Sequence, residues 1–288
     1  MKDAPKFPAL GGGLRYDVDA RHVVLSTKTT VKAAHGENAI IEFKHVQYQI
    51  DITDGRPILS GISLVIHQGE TLALLGKSGS GKTTLLKLIN RLRHHTSGAV
   101  MVQGREVSAW DPIRLRRGIG YVIQEIGLFP HLTVQQNVSL VPVLERWPAP
   151  RVASRYAEVM GLVGLDPVEF AQRYPRQLSG GQRQRIGVAR ALAADPAILL
   201  MDEPFGALDP VTRAELQQSF LEIARRLAKT IVIVTHDVRE ALLLGTRVVL
   251  LDAGRIIADA APRDFLKLDH PVAREFLAAV ELSSGARA

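Results

Sequence analysis

Residues 76–83 read GKSGSGKT, the G-x-x-x-x-G-K-[ST] spacing of a loop that wraps phosphate groups. Gly79 and Gly81 allow the backbone to close on an anion, and N–H groups at the start of the next helix face it. Lys82 would reach the outer phosphate oxygens, and Thr83 offers a hydroxyl to Mg²⁺. The candidate phosphate contacts are Gly76, Lys77, Ser78, Gly79, Ser80, Gly81, Lys82, Thr83 and Thr84. A second stretch, AILLMDE at 197–203, ends an apolar run in two acids. Asp202 is placed to hold Mg²⁺, and Glu203 to orient or deprotonate a water. A third stretch, LSGGQ at 178–182, has a glycine pair that should open another helix and present a second set of N–H groups to an anion.

The elements around these residues are legible from their periodicity. TLALLG (71–76) is a continuous apolar run, as in a strand buried on both faces, and it feeds the glycine loop directly. After the loop, Leu85, Leu88, Ile89 and Leu92 recur at helical spacing and predict one buried helix face. Upstream, AIIEFKHVQYQI and ILSGISLVIHQG alternate apolar and polar residues, which predicts an antiparallel β-layer ahead of the main sheet. GAVMVQGREV and GIGYVIQE add two further β-segments. From 128 to 176, Pro130, Pro142, Pro148, Pro150, Pro167 and Pro175 separate short helical patterns such as RVASRYAEVMGLVGL. This predicts an α-helical lobe over about 125–180, inserted into an α/β core. The core resumes with AILLMDEP, a helix over AELQQSFLEIARRLA, the strand TIVIVTHD and a hairpin, RVVLLDAGRIIADA, turning at Asp252-Ala253-Gly254. Residues 1–38 hold few large apolar side chains and read as a disordered extension. Residues 39–265 read as the folded domain, and 266–288 as a short helical tail.

Composition narrows the classes. A chain of 288 residues with 46% hydrophobic content buries a full core. The absence of cysteine excludes disulfides, thiolate catalysis and Cys-ligated metal. No apolar run approaches the roughly 18 residues of a spanning helix, and none near the N-terminus is longer than VVL. Cytoplasmic residence is the expectation. The net charge of +7 is spread among acids, so an ordinary solvated basic surface is expected, with no nucleic-acid partner.

LSGGQRQR followed by LLMDEP resembles the ATP-binding cassette (ABC) ATPases, over residues 39 to about 265. The resemblance implies a P-loop NTPase (RecA-like) core, ATP and Mg²⁺ as cofactors, and a dimer of two copies with ATP sandwiched between them. Ser179, Gly180, Gly181 and Gln182 of one copy would face the γ-phosphate bound by the other. Gln124 in YVIQE resembles the glutamine that senses Mg²⁺ and the attacking water while linking core to helical lobe. Asp209 in GALD resembles the aspartate that communicates between the two sites, and His236 in VTHD the histidine that contacts the γ-phosphate. The implied catalytic set is Glu203, His236 and Gln124; the implied metal set is Thr83, Gln124 and Asp202. Family members stack adenine on an aromatic four residues after the first-strand valine, here Val46. That register lands on Ile50, with Tyr48 two residues early, and leaves the adenine contact open.

IGYVIQEIGLFPHLTVQQNVSLVP together with EPFGALDPVTRAELQ is similar to the ATPases of importers for quaternary amines such as glycine betaine, choline and carnitine. That likeness implies a subunit held peripherally at the cytoplasmic face of the membrane by integral-membrane permease subunits, with a substrate-binding protein as an indirect partner. Leu128–Val134 would lie near the groove that receives the permease. An importer of amino acids or lipids is the alternative. Chromosome and repair ATPases carry a long coiled coil between P-loop and signature, whereas the interval here, from Leu85 to Leu178 inclusive, is 94 residues studded with Pro and Gly. Ribosome-associated members resemble two cassettes in one chain, and one cassette stands here. Only 27 residues run from Pro262 onward, so a pair of cystathionine-β-synthase-like regulatory domains is not expected.

Overall fold

The computed structural model of the protein describes residues 38–50, 55, 57–124, 127–206 and 208–284. The extension read over 1–38 lies, but for Asn38, outside them. Alternating apolar side chains pair β1 (Ala39–Tyr48) with β2 (Leu59–His67) antiparallel, Phe43 opposite Leu64. The fully buried β3 (Thr71–Leu75) leads through the glycine loop into α1 (Lys82–Ile89). β4 (Ser97–Val102) returns to β1, and β5 (Arg105–Glu106) completes a four-stranded sheet of order β2-β1-β4-β5.

The chain then passes through α2 (Pro112–Arg117), capped by Asp111, and β6 (Ile119–Val122). Next come α3 (Val134–Leu144), α4 (Ala149–Leu162) and α5 (Pro167–Phe170), and then α6 (Gly180–Leu192). β7 (Ile198–Asp202), α7 (Pro210–Leu227), β8 (Thr230–Thr235), α8 (Val238–Leu244) and β9 (Arg247–Asp252) follow. The described chain ends through β10 (Arg255–Ala260), α9 (Pro262–Phe265) and α10 (Pro271–Ser284). The second sheet has the order β10-β9-β3-β8-β7-β6 and is parallel except for the β9–β10 hairpin.

Both faces of this parallel sheet are covered, which is why β3, β7 and β8 are buried at every position. Leu72, Leu74, Leu200 and Val232 face α1 and the antiparallel layer. The alternate residues Leu199, Met201, Ile231 and Ile233 pack instead with α6 and α7, through Ile186, Leu216 and Phe220. Ala73 and Leu75 meet Val238 and Ala241 of α8. Because β3, β8, β7 and β6 are parallel neighbours, their C-terminal ends line one edge. Gly76, His236, Glu203 and Gln124 lie just beyond those ends, at the edge where open α/β sheets bind ligands.

The hairpin at Asp252 turns through Ala253 (φ 43°) and Gly254 (φ 75°), two successive left-handed residues that match the twist of the flanking strands. A Cβ on Gly254 would stand 2.3 Å from the Ile58 carbonyl oxygen. The Gly254 N–H donates to the Ser80 carbonyl at 3.1 Å, and its own carbonyl accepts from Ser60 N–H at 2.9 Å. One turn thus clips the glycine loop to β2.

Three local expectations need correction. Leu92 does not extend the buried face of α1: the helix ends at Ile89, Arg91 takes φ 53°, and Leu92 is 45% exposed. Pro142 does not separate two helices but sits inside α3, near its end, where few carbonyls lose a partner. Within the proposed contact segment Leu128–Val134, Val134 faces the core and Thr133 is a buried N-cap, leaving 128–132 as the accessible part.

Candidate functional site

The glycine loop fits its surroundings with no room for side chains at two points. A Cβ on Gly76 would lie 2.3 Å from the Leu251 carbonyl oxygen, and one on Gly81 would meet Leu59 Cδ2 at 2.6 Å. Gly79 (φ 78°) and Gly81 (φ 102°) also adopt left-handed backbone that other residues rarely take. Lys82 opens α1 and is only 5% exposed. Its Nζ donates to the carbonyls of Gly76 at 2.8 Å and Lys77 at 2.9 Å, leaving one of three N–H donors for a ligand. Burial holds its pKa below the usual lysine value, with Glu203 and Asp202 pulling the other way. Ser80, beside it, keeps a buried hydroxyl without a partner. A caged ammonium, an orphaned hydroxyl and free helix N–H groups form a cradle suited to a polyphosphate.

Thr83 turns from the same helix start toward the sheet and donates its hydroxyl to Asp202 Oδ1 at 2.8 Å. Asp202 is 3% exposed, and burial raises its carboxyl pKa against the pull of that hydrogen bond. The Tyr121 phenol supports the same carboxylate and has its own pKa raised, by burial first and by Asp202 second. A hydroxyl and a carboxylate held together make a hard-oxygen donor pair that fits Mg²⁺, which keeps several waters and binds few protein ligands. Gln124, also expected in the metal set, points its amide nitrogen at Glu203 and so leaves its oxygen for a cation or water.

Glu203 sits just past β7 at φ 45°, its N–H bonded to the Val234 carbonyl at 3.0 Å. A non-glycine residue in this region stores backbone strain, as residues at functional sites often do. Its Oε2 is 3.3 Å from Gln124 Nε2 and 3.3 Å from His236 Nδ1. The ends of three adjacent strands therefore deliver a carboxylate flanked by an amide and an imidazole.

The second anion-facing helix start has different neighbours. Ser179 and Gln182 form a reciprocal cap on α6: Ser179 Oγ accepts from Gln182 N–H, and Gln182 Oε1 accepts from Ser179 N–H at 2.9 Å. Both side chains are thus used within the chain to fix the helix start, while the N–H groups of Gly180 and Gly181 lie in its first turn. A Cβ on Gly181 would meet Thr212 Cγ2 at 2.6 Å, whereas one on Gly180 finds nothing nearer than Leu208 Cδ2 at 3.9 Å. Asp209 caps α7, accepting from Val211 and Thr212 N–H; the Thr212 hydroxyl first, and then these N–H bonds, hold its carboxyl below the usual range. The atoms lining the glycine loop, from Ile58, Leu59 and Leu251, share no residue with those lining Gly180 and Gly181. Gly76–Thr84, Asp202, Glu203, Gln124 and His236 form one group, and Ser179–Gln182 with Asp209 form another. Of the two residues considered for adenine, Tyr48 is 7% exposed in the core between the sheets, while Ile50 is 45% exposed.

Sequence reasoning did not find Tyr121 or Asn137. The latter is wholly buried, and its amide bonds the Phe129 N–H and the carbonyls of Phe129, Leu132 and Thr133. An asparagine on the otherwise apolar face Val134, Val138, Val141 was the available signal.

A glycine loop closed on a buried lysine, beside a strand-end acid pair and on a sheet of this order, defines a P-loop nucleotide-binding protein. The ABC transporter family profile matches residues 59–206, and the chain belongs to that family. It is 52% identical over 213 residues to the glycine betaine/carnitine/choline transport ATP-binding protein OpuCA of Bacillus subtilis, covering 74% of this chain and 56% of that one. It is 49% identical to the glycine betaine uptake system ATP-binding protein YehX of Escherichia coli, over 79% of this chain and 72% of that one. The chain spans little more than half the length of the first of these. Among solved structures, the ATP-binding cassette MJ0796, described as a dimer in a post-hydrolysis state with ADP and Pi, matches with a TM-score of 0.70 and 33% identity, over 77% of this chain and 99% of that one.

The contrast between the two signature glycines is testable on the isolated chain. Gly181→Ala should lower the melting temperature, by the equivalent of about 1–3 kcal/mol, because Thr212 must move. Gly180→Ala should leave melting within about 1 kcal/mol of wild type, since its Cβ meets only ordinary contact. Thermal unfolding of the two variants decides it.

Proposed function

We propose that the chain is the ATP-hydrolysing subunit of a membrane importer for quaternary-amine osmoprotectants such as glycine betaine. The observation that carries the catalytic half is the Glu203 carboxylate held between Gln124 and His236 at 3.3 Å from each. Lys82 and the N–H groups of α1 bind the β- and γ-phosphates in this reading. Thr83 and Asp202 would hold Mg²⁺, which would supply charge neutralisation at the phosphate oxygens when bound. Glu203 accepts the proton of the attacking water, Gln124 orients that water, and His236 donates a hydrogen bond to the γ-phosphate. Ser179, Gly180 and Gly181 of a second copy close the site from the other side. Ile50, exposed next to β1, offers adenine an aliphatic surface in place of an aromatic ring.

The transport half is supported by the relatives and by a built, partly apolar surface. Phe129 is 41% exposed although its backbone is pinned by Asn137, and Arg190 underlies it, donating to the Gly127 carbonyl at 2.6 Å with its guanidinium 5.9 Å from the Phe129 ring. Leu92, Ile113, Val143 and Leu144 are exposed on segments joined by Arg116 and Arg117, which bond Asn90, Arg91 and Leu144 carbonyls. A rigid platform bearing exposed apolar side chains suits a stable protein partner; an integral-membrane permease is the partner in this reading. No described helix is long and apolar enough to cross a membrane. The platform would hold the chain peripherally, with a substrate-binding protein acting on the permease from the far side.

Glu203→Gln keeps the shape but cannot accept a proton, so turnover should fall at least about 100-fold while ATP still binds. The variant should then accumulate as a dimer with ATP and Mg²⁺; identical size-exclusion profiles with and without nucleotide at micromolar protein contradict the role. Phe129→Asp should abolish uptake in cells carrying the permease and weaken the complex by more than about tenfold, with ATP binding intact. Normal uptake by that variant removes the docking assignment.

A further inference from the structure

Glu240 lies in the first turn of α8, four residues beyond His236, and takes no part in the chemistry above. It is 5% exposed, and its Oε1 is buried with no hydrogen-bond partner. The Thr235 hydroxyl is hydrogen-bonded to its carboxyl and also accepts the Asp237 N–H at 3.0 Å. Asp237 in turn caps α8, its Oδ1 accepting from Arg239 N–H at 2.8 Å. His236 is therefore the single residue between two anchored neighbours, and Glu240 holds the hydroxyl that anchors both.

α7 packs against α8, and Arg213 stands in the first turn of α7. Its charge acts on Glu240, and its Nε is buried without a partner. Its Nη2 donates to the Leu208 carbonyl at 3.0 Å, and its backbone N–H to the Asp209 carbonyl at 2.9 Å. An orphaned carboxyl oxygen and an orphaned guanidinium N–H are costly while apart and complementary once joined. Burial, then Asp237 and, least, Glu203 push the Glu240 carboxyl up to about 8, with Thr235 and Arg213 opposing.

We propose that Glu240 is a positioning residue that pairs with Arg213 and so couples the turn carrying His236 to the turn carrying Asp209. One end of the pair grips Thr235, which sets the backbone on either side of the histidine. The other grips Leu208, the residue before Asp209, whose Cδ2 lies 3.9 Å from where a Cβ on Gly180 would stand. When Oε1 and Nε close, the two turns reach their working positions together. Neither side chain of the pair lies in the nucleotide cradle, so the pair acts on turnover rather than on binding. The inference rests on the ATPase reading of the chain.

Turnover of the purified wild-type chain with ATP and Mg²⁺ establishes that reading separately and supplies the baseline. Against it, Glu240→Gln and Arg213→Gln are each expected to lower kcat about tenfold while KM for ATP stays within about twofold. The double variant should lose no more than the worse single one, because both remove the same contact. Melting temperatures are read alongside, and Arg213→Gln, on the less buried side of the pair, carries the test if Glu240→Gln unfolds. Wild-type kcat in a folded single variant, or a double variant whose loss is the product of the single losses, overturns the proposal.

Discussion

Lys82 and Asp202 bring opposite charges into a crevice that almost excludes water, at 5% and 3% exposure. Burial by itself disfavours both charged forms, lowering the pKa of one and raising that of the other. Fixed dipoles offset this: the Gly76 and Lys77 carbonyls for the ammonium, the Thr83 hydroxyl for the carboxylate. Much of the surrounding structure follows from keeping those dipoles in place. The loop must approach Leu251 and Leu59 too closely for any Cβ at Gly76 or Gly81, and the β9–β10 turn must clip the Ser80 carbonyl. In a low-dielectric pocket a fixed donor is worth more to an anion than it would be in water, because the field is stronger and nothing has to reorganise when charge moves.

The start of the signature helix stands apart from this pair. Glycine loop, acid pair, Gln124 and His236 all converge from strand ends of the parallel sheet, but the capped start of α6 sits among Leu208 and Thr212 and shares no lining residue with the loop. Ser179 Oγ and Gln182 Oε1 act as acceptors in the cap, so what α6 offers a ligand is the Ser179 O–H together with backbone N–H from Gly180 and Gly181. Gly180 can accept a Cβ without disturbing its own chain. A glycine the fold does not require, at an exposed helix start, fits a surface that another molecule must approach closely.

Legibility in the sequence tracked how local each feature is. The glycine loop, the acids after AILLMD and the glycine pair after LS are contiguous, so residue type and spacing identified them, and each strand and helix around them followed from its own period. The meeting of Gln124, Glu203 and His236 is different. It depends on β6, β7 and β8 being neighbours, and sequence alone reached it only through resemblance to a family. Polar residues that act through tertiary contact left little trace: Asn137 and Glu240 are buried and Tyr121 half-buried in ordinary amphipathic patterns, and only the fold shows what they touch. Periodicity also overreached at Leu92, where a left-handed Arg91 stops a helix that the apolar spacing would have continued.

The central claim is that the glycine loop of one copy works with the signature helix of another, and differently tagged heterodimers test it most directly. With Lys82→Ala in one subunit and Gly180→Asp in its partner, both lesions fall on one composite site and the other site stays whole. With both changes in one subunit and a wild-type partner, each site carries one lesion. The account predicts measurable ATP turnover in the first pairing and little in the second; the reverse ranking would show that each chain hydrolyses ATP with its own signature.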